Sequence, residues 1–134
     1  MNPVLQKDSK KLMEDAERIK QGLRRLENDY TKWNSERGKI GLSDLLESVK
    51  GVEIDGSIMV ADCVSAGYKA KAGAEIVFND FHQFFVCLDN LFRDLKRARS
   101  GLNESYIGRD TFYHLEIDCG RFIKNVHQIQ ELLR

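Results

Sequence analysis

Apolar residues recur at alternating steps of three and four along nearly the whole chain, and this spacing restricts the fold more than any other feature. Steps of three and four return to one face of an α-helix, whereas a half-buried strand needs an apolar residue at every second position. The only proline, Pro3, lies near the start of the chain, where the first turn of a helix tolerates it. The spacing therefore predicts an all-α protein.

Three of the predicted helices are long and regular. The first is expected over about residues 3–37, ending near Gly38 or Gly41, and would be about 50 Å long. The other two are expected at 74–98 and 112–133, with apolar seams that include Leu88 and Phe122 respectively. The first helix has a coiled-coil-like apolar seam of a and d positions, broken only by a serine: Leu5, Ser9, Leu12, Ala16, Ile19, Leu23, Leu26, Tyr30 and Trp33.

The second quarter of the chain is harder to interpret because it is rich in glycine, and a glycine inside a helix costs about 1 kcal/mol. The seam nevertheless continues through this segment without a change of phase. We predict two nearly collinear helices, at about 42–50 and 56–71, with the second helix of the fold broken near 51–56. A short extended piece at 52–54 is the alternative.

Four segments joined by short, glycine-bearing connections predict an antiparallel four-helix bundle with up-down-up-down topology. A chain of 134 residues has room for one hydrophobic core, and a second core would be too small to be stable. We therefore expect a single helical-bundle domain over residues 1–134.

The third segment is the most aromatic part of the sequence. Phe78, Phe85 and Phe92 are spaced by seven and form a second apolar stripe beside the seam. A stripe this wide is typical of a helix that touches two neighbours, and the rings would then belong to the core. The alternative is that they stay partly exposed and receive a partner helix or a second copy. Tyr30 and Trp33 are the other candidate partner-binding residues.

Charge and cysteine content bear on location and partners. Lys plus Arg and Asp plus Glu number 21 each, so no net charge draws the chain to nucleic acid or to a membrane surface. Three widely separated cysteines in apolar surroundings favour reduced thiols over a disulfide framework. The sequence has neither a signal-peptide pattern nor an apolar stretch of membrane-spanning length. We expect a cytoplasmic protein without a membrane span.

Few residues have the spacing that catalysis or metal binding requires. No GxGxxG, GxSxG, Walker, CxxC or Glu-x-x-His motif occurs. His114 and Asp118 are four residues apart, but no second histidine completes a set of metal ligands. Asp62 lies in strongly apolar sequence, and we expect it to pair with Lys69 or with an arginine of a neighbouring helix. These observations predict no enzyme activity, no metal site and no cofactor.

The combined expectation is a non-enzymatic α-helical protein–protein interaction module. It would self-associate, as a homodimer for example, through coiled-coil-like packing along the first helix or the phenylalanine stripe. One alternative is a ligand- or metal-sensing bundle in which Asp62, His82, His114 and Asp118 converge on a small polar interior site. A second alternative is a nucleic-acid accessory protein that uses the basic run at 93–99. The helix dipole alone favours cations at that helix end, so nucleic acid is not the expected partner.

Overall fold

The computed structural model of the chain consists of four α-helices and describes residues 2–28, 35–67, 74–101 and 109–133. Those residues contain no strand, so the all-α prediction is confirmed. None of these helices combines the length and the apolar character that a membrane crossing requires. The helices are α1 (Pro3–Asn28), α2 (Ser35–Ser65), α3 (Ala74–Gly101) and α4 (Arg109–Leu133).

The four helices form a bundle in which each packs against two others. Consecutive helices are in contact, and α1 also contacts α4, whereas the described residues show no contact between diagonally opposite helices. Pairs between α1 and α2 show the antiparallel direction, because Lys11 meets Asp55 and Gly22 meets Leu45. Short connections favour this arrangement of neighbours. The predicted antiparallel four-helix bundle is confirmed.

The core consists of the residues that the three-and-four spacing selects. The regular seams of α1, α3 and α4 are buried throughout their described lengths. Phe84 of α3 and Phe122 of α4 are fully buried, and their ring centroids lie 5.5 Å apart. Each buried ring or aliphatic side chain contributes about 1.5–3 kcal/mol to folding, so this seam is the main source of stability.

The first helix is shorter than the predicted 3–37. α1 is described as far as Asn28, and residues 35–37 already belong to α2. The two helices pack up to their connection, where a Cβ on Gly41 would lie 2.7 Å from Cδ2 of Leu26. The three-and-four spacing continues from α1 into α2 and therefore does not show where one helix is succeeded by the next.

The predicted break at 51–56 is wrong, and so is the alternative extended piece at 52–54, because α2 is one continuous helix. Gly56 is buried against α3, and a Cβ there would lie 2.6 Å from Cε1 of Phe84. The glycine therefore permits a close approach of the two helices, and their packing offsets its low helix propensity. Gly51 is exposed, and the buried seam residues on either side of it keep its turn helical.

The end of α2 also differs from the prediction. The helix ends at Ser65 rather than near residue 71. Gly67 has a φ of 80°, in the left-handed region that glycine adopts without strain. Its N–H donates to the carbonyl oxygen of Val64 at 3.0 Å. A glycine in this conformation is a common way for a helix to end.

Candidate functional site

The phenylalanine stripe of α3 is divided between core and surface. Phe78, Phe85 and Phe92 are all half-buried and pack against the core cluster on one side. Phe85 also meets the fully buried Phe84 edge to face, with ring centroids 5.0 Å apart and an angle of 79° between the rings. The core anchors these rings, and part of each remains available for contact with another molecule.

Two of the three rings line a groove between α2 and α3. Phe85 and Phe92 form one wall of this groove, whose volume is about 380 Å³. Buried seam residues from both helices form its floor, and the carboxylates of Glu53 and Asp89 lie at its edge. Phe78 is not among the lining residues, which are Val49, Glu53, His82, Phe85, Val86, Leu88, Asp89 and Phe92.

The outward side of α2 from Ile54 to Ser65 lies next to this groove, and its exposed residues carry no charge. We define the α2 outer face as the exposed residues between Ile54 and Ser65, and all of them are apolar or small and neutral. Glu53, which precedes this stretch, is exposed and charged. Ile54 is 62% exposed, and Ile58 and Val64 are also exposed. By contrast, most exposed positions of α1 are charged. The α2 outer face consists of Ile54, Ser57, Ile58, Ala61, Val64 and Ser65.

The α2 outer face lies beside the groove wall, with Glu53 of the groove lining next to Ile54 in the chain, and we name the two together the α2–α3 face. Gly56 of α2 lies against Phe84 and Phe85 of α3, so the antiparallel register sets Ile54 level with Val86. Val86 is exposed and lines the groove, next to the two phenylalanines. The α2–α3 face therefore comprises the α2 outer face together with Phe85, Val86 and Phe92.

Sequence reasoning found the aromatic part of this surface and missed the aliphatic part. Ile54 and Ile58 are four residues apart at positions outside the seam, which is a signal of a second apolar stripe on α2. The predicted break at 51–56 would have interrupted this stripe. Tyr30 and Trp33, the other predicted partner-binding residues, lie outside the described residues.

The four residues of the alternative polar site do not come together. Asp62 of α2 faces Asp8 of α1, and His82 lines the groove between α2 and α3. Asp118 faces Asp94 across the α3–α4 seam, with His114 nearby on its own helix. Over the four described ranges, no three His, Cys, Asp or Glu side chains are placed to bind one metal ion.

Of the two partners expected for Asp62, the described residues test only an arginine of a neighbouring helix. Lys69 lies outside the described residues. The side chain that meets Asp62 from the neighbouring helix is a second carboxylate, that of Asp8. At this point of the α1–α2 interface, two carboxylates therefore meet.

Three cations of the basic run at 93–99 contact neighbours on their own helix. Arg93 donates to the side-chain oxygen of Asn90, and Arg97 lies 3.7 Å from Asp94. The Nζ atom of Lys96 lies 5.3 Å from the ring centroid of Phe92, within the range of a cation–π contact. These local contacts give the basic run a structural role within α3.

The three cysteines are free thiols, as the sequence predicts. Burial raises the pKa values of Cys63 and Cys119 to about 11, so both remain protonated and unreactive at neutral pH. Cys87 is half-buried, and its Sγ accepts a hydrogen bond from Nδ2 of Asn125 at 3.1 Å. That contact joins α3 to α4.

Comparison with known proteins adds no functional assignment. No protein-family model, no curated protein and no solved structure matches the chain. The α2–α3 face is the candidate functional site on the strength of its geometry alone.

Proposed function

We propose that the protein is a non-enzymatic interaction module whose partner is a second copy of the same chain, bound through the α2–α3 face. The observation that carries this proposal is the α2 outer face, whose residues are all uncharged and which exposes Ile54, Ile58 and Val64 to solvent, with the charged Glu53 at its edge. Apolar surface that is contiguous and uncharged is typical of interaction sites.

A second copy suits this surface because of its lack of charge. In a twofold-symmetric dimer, each residue of the interface meets the same patch on the other protomer. A charged patch would repel itself there, whereas the α2 outer face has no charge to repel. A twofold axis near Ile58 would pack the two α2 helices antiparallel, which is the relation that neighbouring helices already have within the chain.

The groove beside α2 would add to the same contact. Phe85 and Phe92 are held against the core on one side, so little side-chain freedom is lost when their exposed sides are covered. The aliphatic side chains on α2 are partly exposed, and burying each one fully is worth about 1.5–3 kcal/mol. After the cost of association, this area supports a micromolar rather than a nanomolar dimer.

The experiment is sedimentation equilibrium of the wild-type protein and of Ile54→Glu and Ile58→Glu over a wide concentration series. The wild type is expected to pass from monomer to dimer with rising concentration. Each glutamate variant is expected to stay monomeric, because association would bury an unpaired charge. The helical content of each variant, measured by circular dichroism, should equal that of the wild type.

The matched control is Tyr113→Glu. Tyr113 is 62% exposed, like Ile54, but it lies on α4, which is diagonally opposite α2 in the bundle. This variant is expected to dimerise as the wild type does. A wild type that is monomeric at several hundred micromolar would contradict self-association, and a dimer insensitive to both isoleucine changes would contradict the choice of surface.

A further inference from the structure

Within the part of the chain that the structure describes, three buried carboxylate oxygens lack a hydrogen-bond donor. They are the Oδ2 atoms of Asp8, Asp15 and Asp118. Asp15 and Asp118 are only 6% and 9% exposed, so water has little access to them. Because a buried polar atom without a partner costs about 1–3 kcal/mol, each of these atoms requires a physical explanation.

A second carboxylate faces each of these aspartates from the neighbouring helix. Asp55 of α2 faces Asp15 in this way, in addition to the Asp62–Asp8 and Asp94–Asp118 contacts described above. An ionised carboxylate only accepts hydrogen bonds, so two of them cannot bond to each other. A single proton turns one of the two into a donor and satisfies both. We name these three contacts the acid pairs.

The acid pairs occupy equivalent positions in the bundle. On α1 the two aspartates are seven residues apart, as are the two on α2, and every member immediately precedes a seam residue. In helices that pack in this way, the positions beside the seam commonly hold opposite charges that bind the helices together. Here two aspartates meet at three such places, twice between α1 and α2 and once between α3 and α4. A fourth acid contact, of Glu116 with Glu27 between α4 and α1, joins exposed residues and is not one of the acid pairs.

We propose that the acid pairs form a proton-operated device. One shared proton per pair stabilises the packing of α1 against α2 and of α3 against α4 in mild acid, and loss of that proton weakens this packing in mild alkali. The helix–helix contacts would thus respond to pH within the range that cells and their compartments span. This role is independent of the proposed dimerisation.

The charges around the pair of Asp15 and Asp55 indicate where its proton resides. Burial, followed by the hydrogen bond to Asp55, raises the pKa of Asp15 to about 7, against the opposing charges of Arg18 and Lys11. Burial acts on Asp55 in the same direction, but hydrogen bonds from Asp15 and Lys11 lower its pKa. Lys11 Nζ lies 3.0 Å from Oδ1 of Asp55. The proton therefore belongs to Asp15, and Asp55 stays ionised.

In the pair of Asp8 and Asp62, the pKa of Asp8 is raised by burial and by the second carboxylate, and nearby lysines oppose the shift. Burial, then the hydrogen bond and the charge of Asp62, raises the pKa of Asp8 to about 6, and Lys7 and Lys11 oppose the shift. The charged groups that face Asp8 are these two lysines on α1 and Asp62 on α2.

Asp118 follows the same pattern on the other side of the bundle. Burial, then the hydrogen bond and the charge of Asp94, raises its pKa to about 7. Arg121 and His114 on α4 oppose the shift, and Asp94 faces it from α3.

The direction of the pH effect follows from these shifts. An aspartate has an ordinary pKa of 3.8, and the folded chain raises it at three positions, so the folded state binds protons more tightly than the unfolded state. The stability that the acid pairs contribute is complete below pH 3.8, decreases as the pH rises, and is lost above about pH 7.

The first test is the urea midpoint of unfolding between pH 4.5 and pH 8.5, in an Ile58→Glu background so that association does not contribute. The midpoint is expected to fall by about 1 M or more from the acid to the alkaline end. In Asp15→Asn, whose amide can donate to Asp55 at any pH, the fall should be smaller and the midpoint at pH 8 higher. The exposed Asp44→Asn is the matched control and should keep the full slope.

The second test observes the proton directly and needs no variant. Carbon-13 resonances of the aspartate carboxyl groups are followed by NMR as the pH is raised. Midpoints near 7 for Asp15 and Asp118 are expected. Midpoints near 4 for both would overturn the proposal, and so would a pH slope in Asp15→Asn equal to that of its parent. Neither result would bear on dimerisation, which sedimentation tests separately.

Discussion

At the scale of single residues, the buried aspartates of the bundle lie next to small seam residues. Most aspartates of the acid pairs precede a serine, alanine, glycine or cysteine of the seam rather than a large apolar residue. A small seam residue leaves space beside it, which the short side chain of an aspartate can occupy. An aspartate followed by a small seam residue is thus a sequence pattern that indicates a member of an acid pair. It occurs at Asp8-Ser9, Asp15-Ala16, Asp55-Gly56, Asp62-Cys63 and Asp118-Cys119.

Replacement of Gly56 tests the close approach of α2 and α3. We expect Gly56→Ala to lower the free energy of unfolding by about 1–3 kcal/mol, because the new methyl would overlap Phe84, which is fully buried. The control is Gly51→Ala, where nothing lies within 4 Å of the new Cβ. That change should raise stability by about 0.5–1 kcal/mol through helix propensity. Urea unfolding measures both, and equal effects would refute the packing explanation.

At the scale of the element, α2 shows how packing overrides local preference. Its glycines predict an interruption, yet the helix runs from Ser35 to Ser65 because one face is buried against both α1 and α3. Packing of an apolar face contributes more to most protein helices than propensity does. The same helix exposes a second apolar stripe, which no intramolecular neighbour covers.

Amide hydrogen exchange tests the continuity of α2. The amides of residues 52–56 are expected to exchange as slowly as those of the adjacent turns, because each donates within an unbroken helix. Exchange is measured by mass spectrometry or NMR at a pH where the bundle is stable. Fast exchange confined to this segment, with slow exchange on both sides, would indicate a break in solution.

At the scale of the whole molecule, the proposed proton-sharing contacts and the proposed dimer surface lie between different pairs of helices. The acid pairs lie between α1 and α2 and between α3 and α4, whereas the partner surface lies across α2 and α3. Each helix of the α2–α3 face therefore also belongs to a seam that contains an acid pair. Weaker packing of α1 against α2 and of α3 against α4 would therefore alter how firmly α2 and α3 are held. The residues of the partner surface would themselves be unchanged.

The salt dependence of association distinguishes a second copy from a charged partner. The α2 outer face has no charge, so we expect the dimer dissociation constant to change by less than about threefold between 50 and 500 mM NaCl. Sedimentation equilibrium at both salt concentrations measures it. A tenfold weakening in high salt would mean that attraction between opposite charges, rather than the apolar side chains, dominates the contact.

Much of the fold and part of the candidate site were predictable from the sequence. The spacing predicted the burial of Ile19, Leu88 and Phe122, and all three are buried. The aromatic wall of the groove was predicted as a stripe on one helix. The end of α1, the continuity of α2 and the exposure of Ile54 were not, because each depends on which surface a neighbouring helix covers.

The sequence by itself determined which residues turn inward, because the period of a helix follows from backbone geometry and acts over a few residues. Only the tertiary structure decided which helix meets which and in what register. That choice brings Asp15 of α1 to Asp55 of α2, and sets Gly56 against Phe84. The physical reason is that such contacts join residues far apart in the chain, where the local period carries no information about the partner.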